Sequence, residues 1–305
     1  MFKLKKKDLL EVNDLTAEEI FHLFELARDL KHRYKRGEIQ VPVLKGKVLG
    51  MLFTKPSTRT RVSFEVAMLQ LGGHTINLSG EEMQLSRGET LADTGRTLSR
   101  YLNGIMIRTF RQEDVEKLAT YSTIPVINGL TDLHHPCQAL SDLFTIWENK
   151  GSFKGVKLTY FGDGNNVCNS LLQAAALVGL EMCAVTPSEY QPPKRILAGL
   201  KDNQKKIVVT TNSNIDLSDT DFLYTDVWVS MGQEGTEKSK KKFLPYQVNE
   251  ALLKKAPAKV KVMHCLPAHR GEEITDGVID GPNSIVWEQA ENRLHFQKAL
   301  LAALL

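Results

Sequence analysis

Short apolar runs alternate with helix-patterned segments along this chain. "GKVLGMLFT" (46–54) is strand-like, residues 57–71 carry a helical pattern that closes on Gly72 and Gly73, and "HTINL" (74–78) is a second short strand. "GIMIRT" (104–109) and "IPVINGLTD" (124–132) continue the alternation with helical segments between them. Parallel strands need a crossover, usually a helix, so the rhythm predicts a parallel sheet covered by helices. It restarts after "ENKGSFKG" (148–155), which reads as a linker or domain edge. Residues 156–187 then give strand, Gly-rich turn, helix and strand in one βαβ length, followed by strands at "DFLYTDVWV" and "KVKVMHCLPA" and a closing helix from Trp287. Before all of these, Thr16 and Glu19 form a capping-box pattern ahead of an amphipathic helix. The expected fold class is α/β, with two doubly wound parallel-sheet domains of similar size.

With 305 residues the chain is long enough for two such domains. Its net charge of +3 calls for neither nucleic acid nor an anionic membrane as partner. "MFKLKKKD" at the start is basic but leads into no apolar stretch, so no signal peptide is expected. No apolar run approaches the roughly 20 residues of a membrane span. Cys137, Cys168, Cys183 and Cys265 are scattered and never at C-x-x-C spacing, which argues against both a disulfide framework and a zinc site. A reduced, cytoplasmic enzyme without metal or cofactor is the expectation.

In open parallel sheets ligands bind beyond the carboxyl ends of strands. "STRTR" (57–61) sits there, after a strand and at the first turn of a helix, where unpaired N–H groups and the helix dipole favour anions. Capping explains one hydroxyl, but not Ser57, Thr58 and Thr60 together with Arg59. A phosphate-type site is expected, and it is not a Walker A loop. Arg108 ends the strand "GIMIR", where an ordinary surface arginine is the plainer reading. His135 and Gln138 in "HHPCQ" lie three apart on one helix face, and with the anion cage they supply donors for polarising a carbonyl. "FGDGNN" (161–166) suggests a dinucleotide loop, but the third glycine of G-x-G-x-x-G is missing and no acidic residue ends the next strand. Asn166 is better placed to hydrogen-bond a small polar ligand. Asp226 ends "FLYTD" and would suit a substrate carrying an amine. Cys265 ends another strand, and nothing in the sequence alone makes it a nucleophile.

Taken together, "STRTR", "HPCQ", "GDGNN", "DVWVSMG", "HCLPAHRG" and "AENRLH" resemble the transcarbamoylases, specifically the ornithine carbamoyltransferases, in order and spacing over nearly the whole chain. The resemblance implies transfer of the carbamoyl group of carbamoyl phosphate to L-ornithine, giving L-citrulline and phosphate. It implies a carbamoyl-phosphate domain over 1–134, completed by a C-terminal helix (288–305) that packs back on it, and an ornithine domain over 135–287, with interdomain helices between. It also implies a homotrimer in which Gln84 is lent to a neighbouring subunit's site; whether trimers stack further stays open. By the same resemblance Ser57, Thr58, Arg59 and Thr60 hold the phosphate, and Thr60, Arg108 and His135 polarise the carbonyl. Gln138 contacts the carbamoyl end with the Cys265–Leu266 segment and Arg293, and the Leu266–Pro267 peptide is cis. Asn166, Asp226, Ser230 and Met231 match the ornithine binders. Thr54 stands where many relatives have an acidic residue, which would alter a local salt bridge.

The chemistry is consistent with these residues. Carbamoyl phosphate carries its own leaving group, so aligning a neutral amine and stabilising the tetrahedral oxyanion suffice. Cys265 and Asp226 are expected near the amine. Aspartate carbamoyltransferase is the nearest rival, yet that family has basic residues where this chain has "SMGQ" and lends a lysine where this chain has Gln84. Putrescine and N-acylated ornithine remain alternative acceptors, with the intact "SMG" favouring a carboxylate-bearing one. A Rossmann dehydrogenase fails on its fingerprint. A catalytically dead binding subunit would be expected to have lost Arg59, Arg108 or His135, and all are present.

Overall fold

The computed structural model describes residues 3–80, 83–84, 88–201, 204–229 and 237–305. The chain divides into two units, residues 1–144 with 292–305, and residues 145–291.

In the first unit the capping box opens helix α1 (Ala17–Lys35). Thr16 Oγ1 accepts from the Glu19 amide at 3.3 Å, and the Glu19 carboxylate accepts from the Thr16 amide at 2.8 Å. Strands β1 (Val48–Phe53), β2 (His74–Ser79), β3 (Gly104–Arg108) and β4 (Val126–Leu130) form a wholly parallel sheet in the order β2-β1-β3-β4. Helices α2 (Thr58–Gln70), α3 (Leu91–Leu98), α4 (Gln112–Tyr121) and α5 (from Pro136) lie between and after these strands. Leu52, Ile105, Ile107, Val115, Leu118 and Val126 form one buried cluster, joining the sheet to α4. Burying side chains of this size stabilises by about 1.5–3 kcal/mol each. The C-terminal residues close the unit: the Phe24 and Phe296 rings pack edge-on at 6.2 Å, and Lys31 Nζ donates to Asn292 at 2.7 Å.

The second unit holds β5 (Lys157–Phe161), β6 (Glu181–Val185), β7 (Ile207–Thr210), β8 (Phe222–Thr225) and β9 (Lys261–His264) in a parallel sheet of order β7-β6-β5-β8-β9. Its helices are α6 (Asn166–Val178), α7 (Lys194–Ala198), α8 (Glu237–Phe243), α9 (Glu250–Leu253) and α10 (Asp276–Ile279). Helix α5 ends at Lys150 in this unit, and α11 (Val286–Leu304) begins in it. Phe161, Val185, Leu223, Val262, Ile274 and Val286 belong to its buried cluster. The α/β, doubly wound expectation is met. Strand β7, a four-residue run at the sheet edge, was passed over by the sequence reading, as were the short helices α7 to α10.

Both strand orders reverse once, between β1 and β3 and between β5 and β8. Such switch points leave a crevice beyond the carboxyl ends of the two strands, because the flanking crossovers run to opposite sides.

Candidate active site

At the first switch point β1 and β3 end side by side, with Phe53 opposite Arg108. Thr54 binds the Arg108 carbonyl through both its amide, at 3.0 Å, and its hydroxyl, at 3.3 Å. The ion pair beside the loop is made by the next residue: Lys55 is buried, bridges to Asp132, and lies 4.1 Å from the Phe110 ring centroid. After Pro56 the chain enters α2, whose N-cap is Ser57, with Oγ accepting from the Thr60 amide at 3.3 Å. Thr58 is exposed, Arg59 half-buried and Thr60 fully buried. Arg293 from α11 donates to Thr60 Oγ1 at 3.0 Å.

A bulge shapes the neighbouring strand end. Ile107 pairs with Asn128, but Arg108 pairs with Leu130, so Gly129 is skipped. A Cβ at Gly129 would displace the Met106 side chain and crowd the Ile107 carbonyl, so a larger residue there would disturb the strand end that sets Arg108. His135 leads into α5 and is buried. Burial first, then the charges of Arg293, Arg108 and Arg59, push its pKa well below the usual imidazole range. It is therefore a neutral imidazole at physiological pH, able to donate one N–H without adding charge. That shared field also shows that the three guanidinium groups and His135 occupy one locality. Gln138 is oriented by its amide, which donates to Asp142 at 2.9 Å. The neighbouring Cys137 thiol is pushed up to about 12 by burial, and so is no nucleophile.

At the second switch point the "GDGNN" turn follows β5. Gly162 has φ of 134°, and a Cβ at Gly164 would overlap the Gln191–Pro192 backbone. The two glycines are thus explained by turn geometry, without a dinucleotide. Asn165 is the N-cap of α6: its Oδ1 accepts from the amides of Val167 at 3.0 Å and Cys168 at 3.1 Å. Its Nδ2 donates to Asp226 Oδ2 at 2.7 Å. Asp226, buried at the end of β8, also accepts from its neighbour Val227 N at 2.8 Å and from Cys265 Sγ at 2.8 Å. Asp163 is raised to about 7, by burial first and then by the negative charge of Asp226, so it holds a proton through the acid side of neutrality. Asn166 is buried at the first helical position. Leu266 has φ of 60°, and the Leu266–Pro267 peptide is cis.

Within each unit, then, the structure brings together part of the expected set. Thr60 and Arg293 touch, and Arg59, Arg108 and His135 share one field. In the other unit Asp226 touches Cys265. Ser230 and Met231 lie outside the described residues. Gln84 is exposed, its carbonyl accepting from the Glu89 amide at 3.1 Å. Sequence reasoning passed over Lys55, Asp163 and Asn165. The doubled asparagine just before an apolar helix was an available N-cap signal. The tie between Lys55 and Asp132 spans 77 positions and has none.

Donor atoms of Asp226, His264 and Cys265 lie within 4.8 Å of one another, as do those of His269, Glu272 and Glu273. In the first group, however, the donors already bind protein partners. Cys265 bonds Asp226, while the His264 nitrogens meet the Leu266 amide at 2.8 Å and Glu273 at 3.0 Å.

The two switch points thus carry a helix N-terminus beside a buried threonine–arginine pair in one unit and a buried, hydrogen-bonded carboxylate in the other, the arrangement of an α/β protein that binds small polar ligands at strand ends. Residues 7–148 match the family described as aspartate/ornithine carbamoyltransferase, carbamoyl-P binding domain, and residues 154–304 match its Asp/Orn binding domain. The chain belongs to the aspartate/ornithine carbamoyltransferase family. It is 56% identical to an ornithine carbamoyltransferase of Bacillus anthracis, over 99% of this chain and 95% of that one. The fold is similar to the solved ornithine carbamoyltransferase from Pyrococcus furiosus, with a TM-score of 0.95 and 51% identity over 100% of this chain and 98% of that one. The enzyme from Thermus thermophilus is also similar, with a TM-score of 0.89 and 42% identity over 98% and 99%.

Proposed function

We propose that this chain is an ornithine carbamoyltransferase, moving the carbamoyl group of carbamoyl phosphate to the side-chain amine of L-ornithine. The observation that carries this reading is the grouping of Arg59, Arg108 and Arg293 about a neutral His135 beside the N-terminus of α2. That grouping suits a phosphate joined to a carbonyl. Ser57, Thr58, Arg59 and Thr60 take the phosphate, with Gln84 lent by a neighbouring subunit of a homotrimer. Thr60, Arg108 and His135 withdraw charge from the carbonyl oxygen. Gln138, Cys265, Leu266 and Arg293 meet the carbamoyl end. Asn166, Asp226, Ser230 and Met231 take ornithine, Asp226 on the amine. The free amine attacks the carbonyl carbon, a tetrahedral oxyanion forms, the bond to the phosphate oxygen breaks and the amine loses a proton. The four cysteines are free, in keeping with a reducing cytoplasm. Among the described residues no helix is long and apolar enough to cross a membrane.

The test is parallel transfer assays with L-ornithine, putrescine, N-acetylornithine and L-aspartate. Citrulline from ornithine far ahead of the rest is expected. Preference for putrescine would sink the account of the second unit and leave the phosphate site standing.

A pH dependence follows. Ornithine's side-chain ammonium, like lysine's with a pKa of about 10.4, is mostly charged at neutrality. His135 is already neutral there, so its titration does not limit the rate above pH 6.5. Asp163 loses its proton near 7 and adds negative charge beside Asp226, which favours binding of the cationic acceptor. The value of kcat/KM for ornithine should therefore rise from pH 6 to pH 9, and Asp163→Asn should flatten the step near neutrality. A flat profile across that range in the wild type would refute this.

A further inference from the structure

Leu266 is, among the described residues, the one non-glycine residue with positive φ. A leucine is held in that left-handed region only where its surroundings over-determine it, and such positions concentrate at functional sites. What holds it is a short chain of bonds through one buried histidine. The Leu266 amide donates to His264 Nδ1 at 2.8 Å, which makes that nitrogen the acceptor and puts the ring proton on Nε2. Nε2 then donates to Glu273 Oε1 at 3.0 Å. The same carboxylate oxygen accepts from the His269 amide at 2.6 Å. Glu273 and His264 are both buried, and Gln289 fixes the His264 amide at 2.9 Å. One carboxylate therefore ties both ends of the segment 264–269. Between those ends sits Cys265, whose thiol donates to Asp226.

We infer that Glu273, acting through His264, is a positioning residue: it fixes the tautomer that accepts from Leu266 and so aims the Cys265–Leu266 segment. Its bearing on turnover rests on the proposed reading that this segment meets the substrate. A purely structural role would cost stability without disturbing the segment, and the two are separable. Glu273→Gln keeps an amide oxygen to accept both bonds, whereas Glu273→Ala removes them. His264→Asn keeps an acceptor two residues before Leu266, as in an Asx turn, but severs the link to Glu273. Thr220→Val deletes the buried 3.0 Å bond between Thr159 and Thr220 in the same unit, and serves as a control for the loss of a buried hydrogen bond away from the segment.

The readouts are the rate of Cys265 alkylation by iodoacetamide, followed by peptide mass spectrometry, and kcat and KM for carbamoyl phosphate. Cys265 is the partly exposed cysteine, the other three being buried, so the label reports this segment. Glu273→Ala should speed alkylation and lower kcat/KM by at least tenfold each. Glu273→Gln should stay within a few-fold on both, and Thr220→Val should move neither. Should Glu273→Ala fail to fold, faster alkylation in His264→Asn carries the same expectation, and a wild-type rate there overturns the inference. It is equally overturned if a folded Glu273→Ala keeps wild-type alkylation and kinetics, or if Thr220→Val reproduces its losses. A wild type that transfers to no acceptor would refute the functional reading, and the alkylation rates would still decide the role of Glu273.

Discussion

Arg59→Ala should lose carbamoyl-phosphate affinity by about 3 kcal/mol, on the order of a hundredfold, while the protein folds normally. The guanidinium sits in the first turn of α2, where it can give a dianionic phosphate two parallel bonds that neither a hydroxyl nor a backbone amide replaces. It is half-buried and takes no part in its unit's apolar cluster, so stability should shift by no more than about 0.5 kcal/mol. Arg59→Lys separates charge from geometry, because lysine keeps the charge and loses the fork. It should recover only part of the affinity. A second readout comes from His135. Arg59 is among the charges that depress its pKa, so removing it should let the imidazole titrate closer to its ordinary value, visible in a proton NMR titration. Calorimetry with carbamoyl phosphate decides the main point: unchanged affinity in a folded Arg59→Ala protein would remove the phosphate site from α2.

The elements that built these half-sites were legible because local patterns and global fold agree. "GKVLGMLFT" is a strand because its apolar run is buried inside the sheet between β2 and β3, and Ser57 caps α2 because a hydroxyl there satisfies an amide that the helix leaves unpaired. The positions of "STRTR", Arg108, "GDGNN" and Asp226 at strand carboxyl ends could be read before the strand orders were known. What could not be read were the crossings of distant segments. Strand β7 is four residues long and half-exposed, so its pattern is too brief to set a period. Glu273 in "GEEITD" looks like one of two surface acids, and only the fold buries it against His264. Asn165 was passed over in favour of Asn166 because adjacent identical residues differ only in direction, and direction is set by the helix start. Cysteine placement likewise said little until burial separated Cys265 from the other three. The substrate classes came from family motifs, since periodicity places a carboxylate at a strand end without saying what it binds.

Asp226→Asn should be the most damaging conservative change in the second unit, lowering kcat/KM for ornithine by about 4 kcal/mol, roughly a thousandfold. The carboxylate accepts three donors: Asn165 Nδ2, the Val227 amide and the Cys265 thiol. An asparagine has one oxygen to offer, so its NH₂ group must face either Asn165 Nδ2 or the Val227 and Cys265 donors, and at least one bonded pair becomes a donor–donor clash. The substrate's ammonium simultaneously loses its countercharge. Removing that charge also relieves Asp163, whose raised pKa owes its second contribution to Asp226, so Asp163 should ionise below its present value of about 7. The neutral-pH inflection in ornithine kinetics should then move to lower pH in whatever activity survives. Carbamoyl-phosphate affinity should fall far less than ornithine turnover, because the residues assigned to the phosphate belong to the other unit and only the Cys265–Leu266 contact with the carbamoyl end adjoins Asp226. Steady-state kinetics with each substrate varied in turn separates these effects. If Asp226→Asn weakens carbamoyl phosphate as much as ornithine, or leaves ornithine turnover within tenfold, then Asp226 is not the group that selects the amine.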